Sequence, residues 1–111
     1  MIIAFASKNH LGLNSDLGSN ISQSEYFTVV ELEGAKLKRV RNVENIYFKQ
    51  EVDAVAFAEF IKQTKAEKLV VSSVENADIT KELLKNNVSV DEASEGRIAN
   101  LLENFQNSEA R

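Results

Sequence analysis

Past residue 50 the spacing of the apolar side chains switches repeatedly between helical and strand-like, and this alternation restricts the fold more than any other feature. Glu51–Lys65 places Val52, Val55, Ala56, Phe60 and Ile61 three and four apart, the period of one helix face, and Phe57 widens that stripe. Lys68–Ser72 is a short apolar run that suits a buried strand. Asp78–Asn86 returns to helical spacing with Ile79, Leu83 and Leu84 inward. Asn76 or Asp78 can cap its start, and Asn86-Asn87 suits a left-handed stop. Val88-Ser89-Val90 alternates as a strand, and Gly96 leads into a third helix, Arg97–Phe105. There Ile98, Leu101, Leu102 and Phe105 fall at i, i+3, i+4 and i+7. Strands alternating with helices imply parallel pairing through right-handed crossovers.

The first half reads differently. Ile2–Ser7 is apolar on both faces, as a central strand requires. Lys8–Ser24 is rich in Asn, Ser and Gly and reads as a long loop, a feature that is often functional in a compact domain. Tyr26–Leu32 and Lys36–Val43, joined by Glu33-Gly34-Ala35, read as a hairpin. The expected fold is α/β, in the order β-β-β-α-β-α-β-α. It is a five-stranded mixed sheet with flanking helices, similar to the ribonuclease-H-like arrangement. A chain of 111 residues with no linker or repeat makes one domain, residues 1–105, followed by a polar tail at 106–111 expected to fray.

Composition removes whole classes of function. With no cysteine there is no disulfide framework, no Cys-ligated zinc or iron–sulfur cluster and no thiol nucleophile. No apolar run approaches the roughly 18–20 residues of a membrane span. Met1–Ala6 lacks a basic n-region and reads as a strand rather than a signal peptide. A net charge of −4 argues against non-specific nucleic-acid binding. A cytoplasmic domain that engages neither nucleic acid nor membrane is the expectation.

Catalytic constellations are equally scarce. Two-metal chemistry needs carboxylates on the central strands, and neither Ile2–Ser7 nor Lys68–Ser72 carries one. Glu31, Glu33, Asp91 and Glu92 lie at a turn and a strand end and read as solvated edges. No Gly-x-Gly-x-x-Gly or P-loop pattern occurs, although Ser72-Ser73 could present hydroxyls and amides to an anion. His10, the sole histidine, sits in a polar loop and reads as a surface side chain. The basic run Lys36, Lys38, Arg39 and Arg41 could bind an anion or a partner, but fits better an edge strand blunted by charge. Tyr26, Phe27, Tyr47 and Phe48 read as core or loop anchors, and Phe57, Phe60 and Phe105 as core. The sequence therefore reads as non-enzymatic.

Several strings resemble one family. Leu13-Asn14-Ser15, Tyr26-Phe27-Thr28-Val29-Val30-Glu31, Gly34, Val43-Glu44-Asn45, the helix at 51–65, Leu69-Val70-Val71-Ser72-Ser73, Val88-Ser89-Val90 and Gly96 follow one another as in the dinitrogenase iron–molybdenum cofactor biosynthesis family. These are the NifX-like domains, found also at the C-terminus of NifB proteins and as small stand-alone bacterial and archaeal proteins. The resemblance covers about residues 2–105. It implies a ribonuclease-H-like fold without nuclease activity. It also implies binding or carriage of an iron–sulfur–molybdenum cofactor or its precursor.

The departures fall on the loops expected to meet at one end of the sheet. The family's Leu-Asp-Ser-Pro-Val-Ser-Glu-His-Phe-Gly corresponds here to Leu13–Ser22, in which Leu13 and Ser15 persist and Asn20 stands for the histidine. Asparagine is a far poorer ligand for iron than imidazole. The His-Gly-Ala-Gly-like segment is replaced by Asn45–Glu51, and Gly-Asn-Ile-Gly by Ser73, Val74, Glu75 and Asn76. Two readings follow. In one, the chain binds a metallocluster or small anion at an altered site lined by Asn14, Ser15, Asn20, Ser73 and Asn76, with His10 within reach. In the other, it has lost the cofactor and serves as a protein-interaction or structural domain. The charged hairpin edge predicts a monomer or weak dimer.

Overall fold

The computed structural model describes residues 1–109. Its strands are β1 (Ile2–Ser7), β2 (Tyr26–Glu33), β3 (Lys36–Glu44), β4 (Lys68–Val71) and β5 (Ser89–Glu92), and its helices α1 (Ala54–Gln63), α2 (Ala77–Lys85) and α3 (Ile98–Glu109). The strands form one mixed sheet in the order β3-β2-β1-β4-β5. β1, β4 and β5 run parallel, while β2 pairs antiparallel with both β1 and β3.

β1 is central, which explains its unbroken apolar sequence. Ala4 and Ala6 face a core filled by Phe57, Ala58 and Ile61 of α1 and Ile79 and Leu83 of α2. Ile3 and Phe5 face a second core closed by Ile98 and Leu102 of α3 and by Leu17 from the long loop. Two helices thus cover one face and one helix covers the other. The alanines leave room on the two-helix side for the rings of Phe27, Tyr47, Phe57 and Phe60, whose neighbouring centroids lie 5.6–6.2 Å apart.

The helix starts differ from the apolar pattern: α1 begins three residues later than expected, α3 one later and α2 one earlier, and at α1 and α2 a side-chain cap fixes the boundary. Asp53 Oδ1 accepts from the N–H groups of Val55 and Ala56 at 3.0 and 3.2 Å, so α1 begins at Ala54 instead of Glu51. Its buried stripe is then Phe57, Ala58 and Ile61. Val55, expected inward, is 61% exposed. Asn76 caps α2 through Oδ1 to Asp78 and Ile79, and Asn87 takes the left-handed conformation (φ 61°) just past its end. Leu84, also expected inward, is 58% exposed, because Ile79 and Leu83 already define the inner face. β5 starts one residue later than expected and runs to Glu92, and α3 continues four residues past Phe105. Gln106, within the expected tail, donates from Nε2 to the Ala35 carbonyl at 3.3 Å, while residues 110–111 lie outside the described residues.

The hairpin turn is Gly34-Ala35, and Gly34 has φ 60°, a conformation that a side chain would strain. β3 is the open edge of the sheet and is exposed over most of its length. Its alternation sends Val43, Arg41 and Arg39 toward the α1 face and Val40 toward the α3 face. Among the described residues no helix is long and apolar enough to cross a membrane.

Candidate functional site

In open α/β sheets, ligands bind in the crevice beyond the carboxyl ends of the parallel strands. Here the β1–β2 loop lies across that crevice. Gly18 donates its N–H to Ala6 at 2.7 Å and accepts from Ser72 N–H at 3.1 Å, tying the loop to the ends of β1 and β4 together. Lys8 N–H reaches Asp16 at 3.0 Å, Leu17 N–H reaches Gly96 at 2.9 Å, and Ile98 N–H reaches Ser15 at 2.9 Å. The backbone at Gly18 is pressed so closely that a Cβ there would collide with Ser24 Oγ and lie 3.4 Å from the Ala6 Cβ. Glycine is therefore required by close approach, since its φ is not in the left-handed region.

The strap passes from one face of the sheet to the other. A single 3-10 turn, Gly12–Asn14, packs against α3 and β3, with Leu13 against the α3-side core. Beyond Gly18 the chain drops to the opposite face, where Ile21 is fully buried among α1 and α2 side chains. Asn45, 3% exposed, clamps this second half. Its Nδ2 donates to the carbonyls of Ile21 and Ser24 at 2.8 and 2.7 Å, and its Oδ1 accepts from Tyr47 N–H at 2.9 Å.

The crossing separates the six residues singled out in the sequence. His10 and Asn14 stay on the side that carries α3. His10 is exposed, with its ring 4.9 Å from that of Tyr26, and Asn14 is exposed at the end of the 3-10 turn. Ser15 is fully buried and works as a staple. Its Oγ accepts from Leu11 N–H at 2.8 Å and donates to the Asn9 carbonyl at 3.0 Å. Asn20, Ser73 and Asn76 gather on the α1–α2 side. Asn20 Oδ1 accepts from Gln23 N–H, three residues on, at 3.0 Å, the bond an N-cap residue makes. Ser73 donates both its N–H and its hydroxyl to the Ser19 carbonyl, at 3.0 and 3.1 Å. Asn76 is occupied as the α2 cap.

The residue that organises this second group is Glu75. Two successive backbone donors of the strap, Ile21 N–H and Ser22 N–H, converge on its carboxylate, at 2.9 Å to Oε1 and 3.0 Å to Oε2. Paired backbone amides of this kind form a cradle for an anion, and here an internal side chain fills it. The signal was present in the sequence: a glutamate stands where the resemblance leads one to expect a small, uncharged segment. Its partners, backbone amides 53 and 54 residues earlier, are not legible from sequence.

Side-chain ligation of a metal does not fit this donor set. Among the described residues there is no group of three His, Cys, Asp or Glu placed to hold a metal ion. Neither Asn20 nor Ser73 offers more than a neutral oxygen, already hydrogen-bonded or facing its own loop. A surface groove of about 360 Å³ borders Glu51, Val52 and Asp53 at the start of α1, and two others lie away from the strap. One of about 330 Å³ runs between β5 and α3 along Val90, Leu101 and Phe105, and another of about 280 Å³ opens at the opposite end of the sheet.

No protein-family model matches the sequence, and no curated sequence matches it. Solved structures do. The protein PH0822 aligns with a TM-score of 0.84 at 22% identity, over 97% of this chain and 92% of that one. A candidate NifB protein from Thermotoga, assigned to the DUF35 family, aligns at 0.77 and 19% identity, over 97% and 89%. The apo form of the orange protein from Desulfovibrio gigas aligns at 0.76 and 18% identity, over 97% and 88%. At these identities the likeness is one of fold. It places the chain's architecture beside a NifB-type structure, as the sequence resemblance implied.

Proposed function

We propose that the chain is a non-catalytic binding domain, ribonuclease-H-like in architecture, whose strap takes a small anionic cargo through backbone amides. The cargo class that the resemblance brings is the iron–sulfur–molybdenum cofactor or a precursor. Such clusters are anionic, so donors from N–H groups can hold them where side-chain ligands are missing. The observation that carries this reading is the convergence of Ile21 N–H and Ser22 N–H on one carboxylate. That geometry suits any two-oxygen or two-sulfur anion, and Glu75 acts as a resident stand-in. The fold likeness to a NifB candidate supports the same reading.

Tetrathiomolybdate, a simple anionic molybdenum–sulfur species, tests it. Glu75→Ala frees the amide pair and should bind the probe at least tenfold more tightly than the parent chain, with amide shifts centred on Ile21 and Ser22. Equal affinity, or shifts elsewhere, removes the amide pair from the function.

A second reading is favoured by the same neighbourhood. Ser15, Asn20, Ser73, Asn76 and Glu75 are all spent on internal hydrogen bonds. A domain that kept the fold and lost the cargo, serving instead as a protein-interaction or structural module, would look like this. Failure of both the parent chain and Glu75→Ala to take up the probe, alongside a loaded family member carrying the loop histidine, selects it.

A further inference from the structure

At the end of the sheet away from the strap, β2 and β3 and the C-terminus of α1 enclose a groove of about 280 Å³. Its floor is Ile2 and Val29, and its walls carry Arg39, Arg41, Lys65, Gln63 and Glu31. Three cations therefore face one concavity in a chain whose net charge is −4. None of the three takes part in an ion pair among the described residues. Glu31 lies directly across the ladder from Arg39, yet the carboxylate pairs with Lys38 instead, at 3.8 Å.

The cations are positioned, not scattered. Arg39 and Arg41 sit two residues apart on one face of β3, about 7 Å along the strand. Arg41 Nη2 donates to the Thr64 carbonyl at 2.7 Å, which fixes the guanidinium over the end of α1 and leaves its remaining donors free. Lys65 occupies the left-handed position after that helix (φ 66°), where glycine or asparagine is the unstrained choice. Protection of an edge strand accounts for charge along β3. It does not account for Lys65, which is off the edge, or for a guanidinium locked toward the groove.

We propose that this groove is a binding site for a small phosphate monoester, with Arg39, Arg41 and Lys65 holding the dianion. Forked guanidinium donors suit phosphate oxygens. Gln63 and Glu31 stand beside them as hydrogen-bonding partners for a hydroxyl on the ester's body. A groove of about 280 Å³ has room for a small phosphate monoester. The site is independent of the strap and lies at the other end of the sheet.

Titration with glycerol 3-phosphate, followed by backbone and arginine side-chain NMR, tests the assignment. Saturable shifts are expected at Val29, Arg39, Arg41 and Lys65, with unphosphorylated glycerol silent. The double substitution Arg39→Gln with Lys65→Gln removes two exposed side chains that make no internal bond, so the fold should persist. It should weaken binding at least tenfold. Arg41 is spared because its bond to Thr64 also supports α1. The proposal is overturned by an absence of saturable shifts, by equal shifts with glycerol alone, by unaltered affinity in the double variant, or by shifts centred on Ile21 and Ser22.

Discussion

Tyr47 shows how one side chain ties the stability of this chain to pH. Burial, and then the nearby Asp53 carboxylate, push its phenol above the ordinary value of 10.0. Its ring packs edge-on against Phe57 and Phe60, so the ionised form has poor surroundings in the folded state. The folded chain therefore releases this proton at higher pH than the unfolded chain. The stability carried by the neutral phenol is complete below about pH 10 and is lost as pH rises through the raised folded value. Urea midpoints taken from neutral to strongly alkaline pH should fall more steeply for the parent chain than for Tyr47→Phe. Parallel curves would show that the phenol is not coupled to folding. At this scale the aromatic character of Tyr47 was legible in the sequence as a loop anchor, whereas its neighbours in the cluster come from α1.

Among the elements, α1 is the clearest case of a cap outranking periodicity. Apolar spacing extends back to Val52, but the helix starts where Asp53 can accept two N–H bonds. Removing that acceptor by Asp53→Ala leaves the first turn's donors unpaired and should destabilise the fold by about 1 kcal/mol. Thermal unfolding should report this as a drop of about 4 °C, while Asp53→Asn, which can still cap, should lose much less. An unchanged midpoint in Asp53→Ala would mean that water satisfies these donors equally well. The second helix follows the same logic with Asn76 and Asn87, both visible in the sequence as cap candidates. The exposed Val55 and Leu84 were not legible, because a stripe defined by counting cannot say which side of it meets the sheet.

For the whole molecule, the sheet's two open edges set the expectation for assembly. β3 presents Lys36, Lys38, Arg39, Arg41 and Glu44 as exposed residues, and β5 has only four residues with which to template another strand. We expect a monomer of 12.4 kDa by size-exclusion chromatography with light scattering across a wide concentration range. A concentration-independent dimer would refute this and direct attention to the groove between β5 and α3.

The α/β class, the hairpin, the central β1 and the sequence of helices and strands were all determined by local chemistry: apolar period, β-branched runs, turn glycine and cap asparagines. These act over a few residues and survive in a linear reading. The candidate site was different. Ser15, Asn20, Ser73 and Asn76 are the right kinds of residue for a polar loop cluster, yet each is consumed by an internal hydrogen bond: Ser15, Asn20 and Asn76 within a few residues, and Ser73 by the Ser19 carbonyl of the strap. Glu75 with Ile21 and Ser22, Asn45 with Ser24, and Arg41 with Thr64 join segments 21–54 residues apart. Only the folded sheet brings those segments within 3 Å of one another, because hydrogen bonds are short-ranged and chain topology, not sequence distance, decides which groups meet.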